Sequence, residues 1–150
     1  MYKQYSIKDI SDWKDLAKNL LALAVPKNTA TVVSLSGELG AGKTTFVQAL
    51  AKELGVNEVV TSPTFTIMKG YTANPDSGYA KLIHMDAYRI DDLSELSPLG
   101  FTEIINMPQT IVCIEWAENI KDLSPLIRSK DPHDMTDAQA LALSYRTMIL

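Results

Sequence analysis

The residues best suited to chemistry lie in a glycine-rich segment, Gly37 to Thr44, which reads Gly-Glu-Leu-Gly-Ala-Gly-Lys-Thr. The spacing matches the phosphate-loop pattern G-x-x-x-x-G-K-[ST], in which glycines let backbone N–H groups turn toward phosphate oxygens. Lys43 can reach the β- and γ-phosphates, and the Thr44 hydroxyl can bind magnesium. A chance match occurs in only about one in a few hundred chains of this length. The segment therefore predicts a nucleoside triphosphate site, and the absence of an Asn/Thr-Lys-x-Asp motif for guanine favours ATP.

A second polar segment, Thr61 to Phe65, follows the predicted phosphate-loop helix and reads Thr-Ser-Pro-Thr-Phe. Nucleotide switches carry a Ser or Thr at this place that senses the γ-phosphate or magnesium, so Ser62 and Thr64 are candidates for a switch. A Ser/Thr-Pro turn that leads into a strand explains the same residues equally well.

A third segment, His84 to Arg89, follows an apolar run and reads His-Met-Asp-Ala-Tyr-Arg. Asp86 could bind magnesium directly or through water, and Arg89 could stabilise phosphate charge or pair with a carboxylate at the surface. For His84 a hydrogen-bonded, partly buried structural residue is a simpler interpretation than a catalyst.

A fourth segment, Ile111 to Trp116, consists of an apolar strand that ends in a carboxylate, Glu115. Nucleoside triphosphatases place a magnesium ligand or a water-positioning base opposite the phosphate loop in this way. Glu115 is therefore the first candidate for catalysis, although an ordinary Glu that caps the next helix would look the same. Trp116 is a core residue or a partner contact, and Cys113 is a small buried hydrophobe.

The elements that position the phosphate loop are a strand over Thr31–Ser36 and a helix over Lys43–Leu54. Before them, a capping box at Ser6 to Asp9 predicts a helix that ends before Pro26. Its apolar positions recur at helical spacing: Leu16, Leu20 and Leu23.

Further β-like runs cover Thr64–Lys69, Tyr79–Met85 and Thr110–Ile114. A turn over Asn74–Gly78 joins the first two and predicts an antiparallel hairpin, whereas Ser94–Ile105 is a helical or irregular connection. At the end of the chain, residues 140–150 favour a strand over a helix. That strand would expose one row of side chains: Leu141, Leu143, Tyr145, Thr147 and Ile149.

Composition narrows the fold and the class of protein. The 150 residues are 46% hydrophobic and 21% charged, which predicts one globular domain. The alternation of predicted strands and helices favours an α/β fold of three layers, with a mostly parallel central sheet and antiparallel edge strands. Cys113 is the only cysteine, so no internal disulfide and no zinc cluster is expected. Apolar runs are too short for a membrane span, which predicts a soluble cytoplasmic protein. The net charge of −4, with scattered Lys and Arg, predicts no basic stripe for nucleic acid.

Together, the phosphate loop and the three downstream segments closely resemble the bacterial TsaE (YjeE) family of small P-loop ATPases. The resemblance covers roughly residues 5 to 120 by motif placement; the tail from Ser124 onward carries no family motif. The specific part is the combination of four patterns in one short chain: the loop, Ser-Pro-Thr-Phe, His-x-Asp-x-Tyr-Arg and the Glu-Trp-Ala-Glu run that starts at Glu115.

The resemblance implies a magnesium-dependent ATPase that acts with TsaB and TsaD in forming threonylcarbamoyladenosine in tRNA. TsaD transfers the threonylcarbamoyl group, and the TsaE protein hydrolyses ATP to support repeated cycles, so tRNA is contacted only indirectly. Lys43 would bind phosphates, Thr44 and Glu115 would serve magnesium, Asp86 would support the site, and Ser62 with Thr64 would respond to the nucleotide. The nucleotide would lie on the loop residues and the first helical turn, namely Glu38, Leu39, Gly40, Ala41, Gly42, Lys43, Thr44 and Thr45.

Two other functions fit the same nucleotide site. A small-molecule kinase would need an acceptor pocket and a mobile basic lid, and the sequence has no Arg-rich lid segment. A binding module would hold ATP as a switching ligand with incidental turnover, and its association with a partner would survive the loss of hydrolysis.

Overall fold

The structure, a computed structural model, describes residues 5–24, 26, 28–120, 123 and 145–149. Its five strands form one sheet in the order β2-β3-β4-β1-β5. Strand β1 runs parallel to β4 and β5, and β3 runs parallel to β4, whereas β2 is antiparallel to β3. This confirms the predicted α/β class, with the antiparallel pairing confined to the β2 edge. The strands are β1 Thr31–Ser36, β2 Met68–Thr72, β3 Lys81–Asp86, β4 Thr110–Glu115 and β5 Tyr145–Ile149.

Helices and apolar side chains cover both faces of the sheet. One face packs against α1 (Ile10–Leu23) and α2 (Lys43–Glu53). The other packs against a 3₁₀ segment, Leu93–Leu99, and the short helix α3 (Phe101–Ile105). Because side chains alternate along a strand, each buried strand contributes to both layers of core. The predicted three-layer arrangement follows from this alternation.

The N-cap of helix α1 lies three residues beyond the start of the predicted capping box. Asp9, not Ser6, is the N-cap: its carboxylate accepts from the Ser11 N–H at 2.8 Å, and the Asp12 carboxylate accepts from the Asp9 N–H at 3.0 Å. The Ser11 hydroxyl and backbone bonds lower the pKa of Asp9, because they favour the charged carboxylate. The helix ends before Pro26 as predicted, but Leu23 is exposed whereas Leu16 and Leu20 are buried.

The predicted strand over Thr64–Lys69 is wrong in its first half. The Pro63 carbonyl accepts from both the Thr66 and Ile67 N–H groups, at 3.1 and 2.7 Å, which makes a turn. Ile67 has φ +66°, in the left-handed region. Strand β2 therefore begins only at Met68. The β-branched residues favour a strand locally, but the turn bonds occupy the backbone groups that a strand would need.

The other predicted elements agree with the structure. The turn between β2 and β3 contains a 3₁₀ segment over Pro75–Ser77, and the predicted hairpin is antiparallel. The connection over Ser94–Ile105 is helical.

The predicted C-terminal strand is observed over Tyr145–Ile149. Leu141 and Leu143 lie outside the described residues. The prediction that one row of side chains of this strand is exposed therefore stays a prediction. Nowhere in the described ranges is a helix both long and apolar enough to cross a membrane.

Candidate nucleotide-binding site

The glycine-rich loop connects the end of β1 to the start of α2, as the motif requires. Gly40 and Gly42 have φ values of +81° and +99°, a region that costs other residues about 1–2 kcal/mol. Gly42 also lies against the indole of Trp13, and a side chain at this position would collide with that ring. No sequence pattern predicts that α1 supports the loop, because this contact joins residues far apart in the chain.

The first turn of α2 presents free N–H groups to the loop. Gly42 is the N-cap and supplies no side chain to bond them, and the first helical hydrogen bond runs from the Phe46 N–H to the Gly42 carbonyl at 2.8 Å. The N–H groups of Lys43, Thr44 and Thr45 precede that bond and have no helical acceptor. Together with the positive end of the helix dipole, they form a typical anion-binding arrangement.

The Lys43 side chain curls back over the loop and is only 5% exposed. Its Nζ donates to the carbonyls of Gly37 and Glu38 at 2.6 and 2.8 Å, and lies 4.0 Å from the centre of the Trp116 ring. No carboxylate in the described part of the chain forms an ion pair with it. A buried cation stabilised only by carbonyl dipoles and a ring face is well suited to receive an anion.

Glu115 and His84, on two strands of the sheet, are linked to Thr44 through one carboxylate oxygen of Glu115. Glu115 Oε1 accepts from Thr44 Oγ1 at 2.7 Å and lies 2.7 Å from His84 Nε2. Glu115 ends β4 and is 4% exposed, and His84 on β3 is wholly buried. The structure thus brings Glu115 and Thr44 together as predicted. It places His84 deeper than the partly buried position that was expected.

Asp86 lies beside Glu115, because the two residues are register partners on β3 and β4. Its Oδ2 accepts from Thr64 Oγ1 at 3.1 Å, and its Oδ1 accepts from the Tyr88 N–H at 2.9 Å. Thr64 in turn shares a hydrogen bond of 2.7 Å with Ser62. Asp86 therefore connects the proposed switch residues to the edge of the sheet that carries the phosphate loop.

Several side chains have roles other than the predicted ones. The Arg89 guanidinium lies 5.8 Å from the centre of the Phe65 ring, and among the described residues it forms no ion pair. Glu118 accepts from the Ser36 hydroxyl at 2.8 Å, immediately before the loop. Trp116 was interpreted as either a core residue or a partner contact, and its ring lies against the Lys43 ammonium. Its position directly after Glu115 was the sequence signal that could have placed Trp116 near the loop, because both residues lie at the same end of the sheet.

Cys113 is fully buried in the core, as expected of a small hydrophobe. Burial raises the pKa of its thiol, and the negative charge of Glu115 adds to the effect. The thiol therefore stays protonated and is not a chemical group of the site.

A comparison with protein families finds one match. The model of the family described as "Threonylcarbamoyl adenosine biosynthesis protein TsaE" matches residues 7–142. This match extends beyond the region, roughly residues 5 to 120, in which sequence motifs were recognised.

Curated proteins with similar sequences carry the name tRNA threonylcarbamoyladenosine biosynthesis protein TsaE. The one from Bacillus subtilis (strain 168) is 43% identical over 112 residues, which cover 75% of this chain and 65% of the relative. The one from Treponema pallidum (strain Nichols) is 38% identical over 121 residues, or 80% of each chain. This chain thus spans slightly less than two thirds of the Bacillus protein.

Among solved structures, the crystal structure of YdiB from Bacillus subtilis is similar to this chain. The TM-score is 0.56 at 34% sequence identity, over 75% of this chain and 63% of YdiB. The likeness therefore extends from the sequence to the arrangement of the sheet and helices.

Proposed function

Because this chain belongs to the TsaE family, we propose that it is a magnesium-dependent ATPase that serves the biosynthesis of threonylcarbamoyladenosine in tRNA. The family supplies the process, through the names of its members. The observation that supports the ATPase is the buried Lys43 ammonium, which lies at the centre of the phosphate loop and has no carboxylate partner among the described residues. ATP supplies the negative charge that this cation lacks.

Lys43 would bind the phosphates together with the free N–H groups of the first turn of α2. Two of its three ammonium protons are donated to loop carbonyls, and these bonds hold the charge at the loop. A burial of 95% or more excludes most water, which strengthens the attraction between the ammonium and a phosphate. Fixed donors of this kind stabilise charge that develops on phosphate oxygens during transfer.

The residues around Thr44 fit magnesium when it arrives with the nucleotide. Thr44 donates its proton to Glu115, so its oxygen lone pairs are left for a cation. In the described ranges no three acidic, histidine or cysteine side chains converge as a metal site, which agrees with a cation that takes part of its ligands from phosphates. When bound, magnesium would neutralise charge on the β- and γ-phosphates.

Glu115 and Asp86 would have different roles. The hydrogen bonds from Thr44 and His84 both go to Oε1 of Glu115, so Oε2 would be the oxygen that binds water near the cation. Asp86 uses one oxygen for Thr64 and the other for the Tyr88 N–H. It would therefore support the site by holding Thr64, whose hydroxyl responds when a γ-phosphate is present.

We further propose that the chain acts with TsaB and TsaD and meets tRNA only through that complex. The net charge of −4 and the scattered basic residues offer little attraction for a phosphate backbone. Hydrolysis would be slow alone and faster with the partners, because a P-loop enzyme can gain orders of magnitude when a partner completes its charge stabilisation.

The proposal is tested by measuring ATP hydrolysis with magnesium, with and without purified TsaB and TsaD. Lys43→Ala is expected to abolish the turnover that the partners stimulate, while Lys52→Ala, at an exposed position in the last turn of α2, leaves it unchanged. Turnover that survives in Lys43→Ala would contradict the proposal. Lys43-dependent ATP binding without turnover would favour a binding module, and a phosphorylated metabolite would favour a kinase.

A further inference from the structure

His84 is placed by the sheet so that its ring points at the nucleotide side. Leu82, His84 and Asp86 alternate onto the face of β3 that α1 and α2 cover, since Leu82 packs in that layer of the core. Cys113, on β4, is the register partner of His84 and packs in the same layer of the core. Glu115 lies two residues further along β4, so its side chain is on the same face as that of Cys113. The histidine therefore lies one pleat deeper in the protein than the two carboxylates.

The ring has one polar contact among the described residues. Nε2 lies 2.7 Å from Glu115 Oε1, and Nδ1 is buried without a hydrogen-bond partner. We assign the proton to Nε2, because the bond to a carboxylate needs a donor. This tautomer leaves Nδ1 as an unpaired acceptor, and buried unpaired acceptors are tolerated better than unpaired N–H donors. The polar function of His84 is thus directed at Glu115 alone.

Two donors meet at the same oxygen of Glu115. Thr44 Oγ1 and His84 Nε2 both lie 2.7 Å from Oε1. A carboxylate bonded only to Thr44 could rotate and offer either oxygen. A second donor, fixed on a neighbouring strand, restrains that rotation and keeps the Thr44 proton directed away from the cation position. Donors behind a metal-supporting carboxylate act in this way, and their loss weakens metal binding about 10–100-fold.

We infer that His84 is a positioning residue: its Nε2–H holds the Glu115 carboxylate against Thr44 and thereby sets how much magnesium strengthens ATP binding. This inference rests on the proposed function. It requires that a side chain with a donor at the same place preserves the coupling between magnesium and ATP, and that a side chain of similar size without a donor loses it.

The test compares His84→Gln with His84→Met. The Gln side-chain amide can donate near the position of Nε2, whereas Met fills similar space without a donor. The measured quantity is the ratio of the ATP dissociation constant in EDTA to that in magnesium, obtained by calorimetry at equal protein concentration. His84→Met is expected to reduce this ratio about 10–100-fold, and His84→Gln is expected to keep most of it.

A structural role alone would change folding without changing this ratio selectively, so unfolding curves are recorded for both variants. The inference is overturned if His84→Met keeps the wild-type ratio, or if both variants lose it equally while remaining folded. If His84→Met does not fold, His84→Asn replaces it, since its shorter amide cannot reach Glu115, and it must show the same loss. A wild-type protein that binds no ATP would instead contradict the proposed function itself.

Discussion

The two sides of the candidate site are built differently. On the phosphate-loop side, Lys43, His84 and Glu115 are all at most 5% exposed, and each side chain forms at least one hydrogen bond inside the site. On the switch side, residues 61–67 form a turn in which Phe65 is 88% exposed and Ile67 has a positive φ. The turn is connected to the sheet by one side-chain bond, from Thr64 to Asp86 at 3.1 Å, and by two bonds from backbone N–H groups. The Asp86 N–H donates to the Ile67 carbonyl at 2.8 Å, and the Thr61 N–H donates to the Tyr71 hydroxyl at 3.3 Å.

This difference indicates which side can change shape. Buried groups with internal hydrogen bonds and tight packing resist rearrangement, because movement breaks those bonds where little water is present to replace them. A β-branched residue in the left-handed region is strained, and an exposed turn has little packing to lose. The phosphate-loop side is therefore expected to hold the nucleotide in a fixed geometry, and the switch side is expected to report its presence.

The largest expected effect compares two phenylalanines, one on each side. Phe46, in α2, is completely buried, so Phe46→Ala is expected to lower the free energy of unfolding by about 3–5 kcal/mol. Phe65→Ala, in the switch turn, is expected to change it by no more than about 0.5 kcal/mol. Denaturant unfolding of both variants measures the difference. Similar losses of unfolding free energy in the two variants would show that the two sides do not differ in packing.

A smaller effect is expected from loss of the side-chain hydrogen bond between Thr64 and Asp86. Thr64→Val keeps the shape of the side chain but removes the donor to Asp86, which is worth about 1 kcal/mol and predicts about a fivefold loss of ATP turnover. Thr66→Val is the matched control, because Thr66 lies in the same turn and its side chain is exposed. Turnover is measured with TsaB and TsaD present. An equal loss of turnover in both variants would show that the Thr64–Asp86 bond does not couple the switch turn to ATP turnover.

The smallest effect concerns the buried layer that supports the phosphate-loop side. Tyr79 donates to the Ala24 carbonyl at 3.3 Å and lies 3.1 Å from the Thr31 hydroxyl. Burial raises the pKa of Tyr79, against the opposing effect of the Thr31 bond. Its contribution to stability is therefore complete below about pH 10 and is lost as the pH rises through the higher pKa of the folded protein.

Tyr79→Phe tests this pH dependence. The variant is expected to lose less stability than the wild type between about pH 10 and the onset of alkaline unfolding. Unfolding free energies of both proteins across that range provide the measurement. Parallel pH profiles would show that Tyr79 is not the titrating group.

Local features were predictable because their causes lie within a few residues. The bounds of β1 agree with the prediction, and α2 ends one residue early, since β-branched residues, flanking glycines and the Gly-Lys-Thr run act over short distances. The proximity of Thr44 and Glu115 was predictable from one motif and one strand end. The strand predicted at Thr64 failed because a distant partner, Asp86, and the Pro63 carbonyl hold that segment in a turn.

The sequence by itself determined the phosphate loop, the elements beside it and the carboxylates that end two of the strands, because spacing and alternation are properties of neighbouring residues. Only the tertiary structure decided that Trp13 supports Gly42, that Trp116 lies on Lys43 and that His84 holds Glu115. These contacts depend on strand order, register and side-chain packing. Those properties are set by the assembly of the whole sheet, so no local pattern contains them.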